Sequence, residues 1–160
     1  MKKALFPVLL ILLAGCFYER PLSQTAITSA NPALAGTWER FPAKKGETPV
    51  SMKIEISGTE CSIRYTFEGD DSFLFKGFEI SVAGLNMIQL EWLNAGEEKS
   101  KYLFVKYELT SNGLMYYLLN PDIVSSKCQS AEALLNEISL HRQDPSLFGE
   151  PETFIRSVPQ

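Results

Sequence analysis

Few side chains here are suited to covalent or metal chemistry. The chain holds a single histidine and three cysteines in 160 residues. The imidazole, His141, lies in His141-Arg142-Gln143-Asp144-Pro145, a solvated-loop composition. A Ser-His-Asp arrangement would have to use it, yet no Gly-x-Ser-x-Gly elbow exists. Zinc sites draw several His and Cys ligands at set spacings, and none of those spacings occurs. Glu68-Gly69-Asp70-Asp71 is the one acidic cluster near a turn; it lacks the alternate-oxygen spacing of a calcium loop and reads as a solvated hairpin. No phosphate-cradling glycine loop or dinucleotide motif is visible. Paired glycosidase carboxylates stay open, because any two of 19 acids can meet in space. The expectation is a non-enzymatic protein with no cofactor and no metal.

Cys16 has a different setting. Met1-Lys2-Lys3 is a short cationic start, and Ala4 to Leu13 is an apolar run broken only by Pro7, too short for a permanent span of roughly 20 apolar residues. Leu13-Ala14-Gly15-Cys16 follows, and it resembles the lipobox of bacterial lipoproteins. That resemblance implies removal of residues 1–15 as a signal peptide and acylation of the Cys16 thiol, with Cys16 as the mature N-terminus. Several acyl chains, each buried methylene contributing about 0.8 kcal/mol, would then tether the chain to a membrane without spanning it. Phe17 after the cysteine, by resemblance to enterobacterial sorting rules, points to the outer membrane and a periplasm-facing domain. Loss of Lys2 and Lys3 with no acid takes the formal charge from −4 to −6, so attachment has to come from lipid rather than from anionic headgroups. With no Lys/Arg-rich block, a nucleic-acid partner is not expected.

The remaining thiols, Cys61 and Cys128, would both lie outside the cytoplasm, where a disulfide is allowed. Periodicity puts Cys61 on the inward face of a strand and Cys128 on the apolar face of a helix, so a bridge from helix to sheet is expected, the alternative being two separate buried thiols.

The elements that must position these residues follow from patterning. Residues 16–33 show no sustained period and carry Pro21, Pro32 and many small polar residues, which reads as a flexible tether. From about Leu34 to residue 160 the period becomes two. Met52, Ile54 and Ile56 share one face, as do Cys61, Ile63, Tyr65 and Phe67. Phe73 and Phe75 are followed by Phe78, Ile80 and Val82 on the opposite parity, and Gly77 at the change suggests a bulge. Ile88, Leu90 and Trp92 alternate with Gln89 and Glu91. Leu103, Val105, Tyr107 and Leu109 precede an Asn112-Gly113 turn in which both residues tolerate positive φ. Leu114–Leu119 is apolar on both faces. With Gly36–Arg40 this makes seven strands, and 154–158 returns as an edge strand or docked tail. Asn120-Pro121 reads as a helix start, with Cys128, Ala131, Leu135 and Ile138 at helical spacing over 121–139.

A meander of this length escapes exposed edges most simply by closing, so the expected fold is mainly β: an antiparallel barrel of about eight strands with a C-terminal helical segment packed on it. Gly36-Thr37-Trp38 resembles the Gly-x-Trp opening of lipocalins and related barrels; the resemblance implies that Trp38 plugs one end and that a small apolar ligand can occupy the interior. The alternative is a protein-interaction module, an envelope-assembly partner or an inhibitor of an enzyme such as lysozyme. It is suggested by aromatic rings on both faces of neighbouring strands.

Overall fold

The computed structural model describes residues 17–41, 50–67, 72–95, 101–111 and 113–157. Cys16 with the whole signal segment, the Glu68-Gly69-Asp70-Asp71 cluster and Asn112 lie outside the described residues. Eight strands form: β1 (Gly36–Phe41), β2 (Ser51–Ser57), β3 (Glu60–Thr66), β4 (Ser72–Val82), β5 (Leu85–Trp92), β6 (Tyr102–Thr110), β7 (Gly113–Leu118) and β8 (Glu152–Arg156). Each pairs antiparallel with the next, and β8 pairs back onto β1, Trp38 opposite Arg156 and Phe41 opposite Thr153. The barrel is therefore closed and has no free edge.

The period-two faces became the inside of the barrel. Met52, Ile54, Cys61, Ile63, Phe75, Leu90, Val105, Leu114 and Phe154 belong to one buried cluster. Outside the sheet lies a second core: Ile80, Val82, Met87 and Phe104 point outward from β4, β5 and β6 onto Leu134 and Ile138 of helix α1 (Ala131–Leu140), with Val124, Leu147 and Tyr18. These three strands are thus sandwiched, and both of their faces are apolar for that reason.

This double burial also explains the phase change at Gly77, and the bulge expected there is absent. Pairing of β4 with β3 and with β5 runs without a slip through Cys61↔Gly77 and Gly77↔Leu90. The apolar side switches because the outer face of β4 passes under α1 and the N-terminal segment. Gly77 is needed for space: a Cβ there would lie 2.0 Å from the Gln89 carbonyl oxygen. Gly113 opens β7 for a similar reason, its Cβ position lying 2.2 Å from the Phe154 carbonyl oxygen, so close approach rather than positive φ selects it.

Two further expectations change. Helix α1 begins ten residues later than Asn120-Pro121 suggests: Asn120 organises a turn, its Oδ1 accepting from Asp122 N, whereas Ser130 is the N-cap and accepts from Ala133 N at 3.1 Å. Cys128 consequently precedes the helix. The stretch expected as a tether is, from Phe17 on, a strap laid along the barrel wall. Tyr18 and Tyr102 exchange two backbone hydrogen bonds at 2.8 Å, Ile27 N donates to Glu79 O, and Ala30 N donates to Gly58 O. Buried Gln89 binds the middle of the strap: its Oε1 accepts from Leu22 N (2.6 Å) and Ser23 N (3.1 Å), and its Nε2 donates to Ser23 O (2.9 Å). Three bonds to one amide satisfy backbone groups that a flexible segment would leave to water.

Candidate functional site

The two ends of the barrel differ. At the end where β1 begins, a 3-10 turn (Pro32–Leu34) crosses the opening, with Asn31 Oδ1 capping Ala33 N. Leu34 and Trp38 are only 2% and 3% exposed. The Trp38 indole Nε1 donates to Leu34 O at 2.9 Å. The Arg156 guanidinium lies 4.3 Å from the centroid of a Trp38 ring and donates to Ala35 O and Ala33 O, both at 2.7 Å. Gly36 leaves room for it, since a Cβ would come within 2.6 Å of Arg156 Nη1. Cation–π contact and two charge-assisted bonds to carbonyls seal this end with residues of the first and last strands and of the turn before β1.

Above this floor the interior is hollow. A cavity of about 300 Å³ runs from Leu34, Ile54 and Cys61 toward Phe17, Arg40 and Glu152 at the other end, and its wall is predominantly aliphatic and aromatic. Arg40 and Glu152 line the cavity yet keep 26% and 42% of their side chains exposed, so the interior communicates with solvent there. Eight-stranded barrels can be filled by their own side chains; this one is not.

One polar group faces the cavity near its open end. Arg40 Nη2 lies 3.3 Å from Glu152 Oε2 and donates to Tyr65 Oη at 3.3 Å, while the Tyr116 hydroxyl meets Tyr65 and Glu152. Burial and the carboxylate push both phenols up, Tyr116 strongly, so they remain neutral hydroxyls. Burial opposes the charge on Arg40, but Tyr65 and Glu152 outweigh it and raise its pKa. Arg40 Nε is buried with no hydrogen-bond partner. The arrangement offers hydroxyls and a guanidinium at the end of an apolar slot, which suits recognition of a polar terminus on an apolar molecule.

The cysteines do not meet. Both are free thiols: Cys61 lines the cavity, and Cys128 packs against the outer core. The sheet lies between them, so the expected staple from helix to barrel is not formed. Burial pushes the Cys61 thiol up to about 11, leaving it protonated and a poor nucleophile at neutral pH. His141 is the C-cap of α1 and does not line the cavity. Among the described residues, no group of three or more His, Cys, Asp or Glu is placed to hold a metal ion.

Sequence patterning missed Arg40, Glu152, Arg156 and Gln89. Arg40 and Arg156 sit on the inward parity of β1 and β8, a signal that was available. The alternation of β5 puts Gln89 on a wet face, and nothing in that strand reveals that the strap covers it.

Fold and site together define a closed up-and-down β-barrel with one sealed end and an apolar internal cavity. Comparison with known proteins adds no relative: no family model, no curated protein and no solved structure matches the chain.

Proposed function

We propose that this is a non-enzymatic binding protein of the bacterial cell envelope, anchored by acyl chains on Cys16 and carrying a small apolar ligand with a polar end inside the barrel. Removal of residues 1–15 leaves the domain on the periplasmic side, with the outer membrane as its station. The cavity of about 300 Å³, lined mostly by aliphatic and aromatic side chains, with Arg40, Tyr65, Tyr116 and Glu152 gathered at its open end and the Tyr107 hydroxyl engaged by Glu79, is the observation that carries this reading. Its volume stands at the small end of ligand sites, which run from about 300 to 1,000 Å³, and favours one chain or one small ring system.

Native mass spectrometry of the mature protein, released from detergent and titrated with dodecanoate, tests both halves. The covalent mass reports acylation of Cys16. A non-covalent dodecanoate adduct reports the cavity. Val105, midway along the cavity wall, is the blocking position: Val105→Phe should weaken the adduct at least about tenfold, the equivalent of 1.4 kcal/mol, while thermal stability holds or rises. Equal adducts in both proteins would end the carriage reading.

A further inference from the structure

We propose that the open end of the barrel lies against the membrane, with its rim in the headgroup region, so that the cavity exchanges ligand with the bilayer. The inference rests on the lipid-anchored reading above and deepens it by naming the surface that the mouth faces.

The position of the strap is the first argument. Phe17 lines the cavity at its open end and stacks on Trp92, with ring centroids 4.8 Å apart. Tyr18 is fixed beside it by two backbone bonds to Tyr102 and by its hydroxyl, which donates to Val124 O at 3.1 Å. Consecutive Cα atoms are about 3.8 Å apart, so a lipid on the residue before Phe17 is delivered beside the mouth with no spacer. A free tether of that segment would have let the domain tumble; the strap removes this freedom.

The rim supplies the second argument. Phe41 ends β1 and Leu93 follows β5, both at the open end, and they are 53% and 55% exposed. Among the described residues, the other exposed large hydrophobics are spread over the strap (Ile27), α1 (Leu135 and Leu140) and the outer face of β8 (Ile155). Among the described residues of this end, Trp92 and Lys101 join Phe41 and Leu93. The Trp92 indole Nε1 donates to Asn94 Oδ1 at 2.8 Å, and the Lys101 ammonium lies 5.4 Å and 5.9 Å from the Trp92 and Phe17 ring centroids. Half-buried tryptophan with a polar edge, a lysine on an aliphatic stem and protruding apolar side chains are the residue types that settle at a lipid–water boundary. An occupant of the apolar cavity that leaves through this end would enter lipid directly.

The two native tryptophans allow a test, because Trp38 lies at the sealed end and Trp92 at the mouth. The full-length, processed protein is reconstituted in phosphatidylethanolamine/phosphatidylglycerol vesicles whose acyl chains carry bromine. Trp92→Phe leaves Trp38 as the sole emitter and should be unquenched. Adding Leu93→Trp, or separately Phe41→Trp, places a reporter on the rim, and most of the added emission should be lost. Trp38 stays in every variant, so the floor of the barrel is preserved. If the acyl mass is present but the rim reporters are unquenched, or Trp38 is quenched as strongly, the orientation is wrong and the anchor stands. If the acyl mass is missing, the anchor reading fails and the orientation with it.

Discussion

Cys61 shows how placement decides a residue's chemistry. Its thiol is raised from 9.0 to about 11, chiefly by desolvation in the barrel wall. A thiol is neutral when protonated, so a raised folded pKa means that the native state holds the proton more tightly than the unfolded chain. The associated stability is fully present below about pH 9 and is lost as pH rises through 11. Two units correspond to roughly 2–3 kcal/mol. Cys61→Ala should therefore flatten the fall in stability between pH 9 and 11, measured by urea unfolding at each pH; a fall as steep as the wild type would refute the assignment. Cys128 is also raised, by burial and then by Glu137, but it is only half-buried. Iodoacetamide should label Cys128 well before Cys61, as read by peptide mass. Two labels without prior reduction also check that the thiols are unbridged.

At the scale of elements, the strap and the narrowest strand contact invite quantitative tests. Gln89→Leu keeps the volume of the buried side chain but deprives Leu22 N, Ser23 N and Ser23 O of partners. Leaving buried polar groups unsatisfied costs about 1–3 kcal/mol, and hydrogen exchange of the amides around 22–30 should accelerate while β2 and β3 stay protected. Unchanged exchange there would mean that the strap is held by other contacts. Gly77→Ala has no room to relax, because the clash is with backbone on β5. It should destabilise by more than the roughly 1 kcal/mol typical of point mutants, with the urea midpoint as readout. Patterning located the strands well, since one buried and one wet face leave a period of two in the residues themselves. It failed on the strap, whose anchoring uses backbone bonds to a single amide and aromatic rings placed once. It failed on the start of α1, where Asn120-Pro121 and Ser130 both carry cap chemistry and only packing of Leu134 and Ile138 under β4–β6 selects the second.

In the whole molecule, two cores share one wall. Leu103 and Val105 face the cavity while Phe104 between them faces α1, so β6 cannot lose one core without disturbing the other. Unfolding should be a single transition despite the hollow interior. Leu134→Ala, at a fully buried site in the outer core, should cost about 2–5 kcal/mol and shift Trp38 fluorescence and far-ultraviolet dichroism together. Separate midpoints would show that the outer layer unfolds independently.

Alternation of side chains along the strands, read without coordinates, determined the meander and its inward faces, because each is a local pattern that burial imposes on neighbouring residues. Closure decided the rest. Arg40 meets Glu152 across 112 residues, Trp38 is roofed by Arg156, and Gln89 is covered by the strap only when β1 and β8 join and the N-terminal segment is laid against the wall. Such contacts leave no period, since each depends on a single pair brought together by the ring of strands. The hollow between them is a property of the closed volume, not of any one segment.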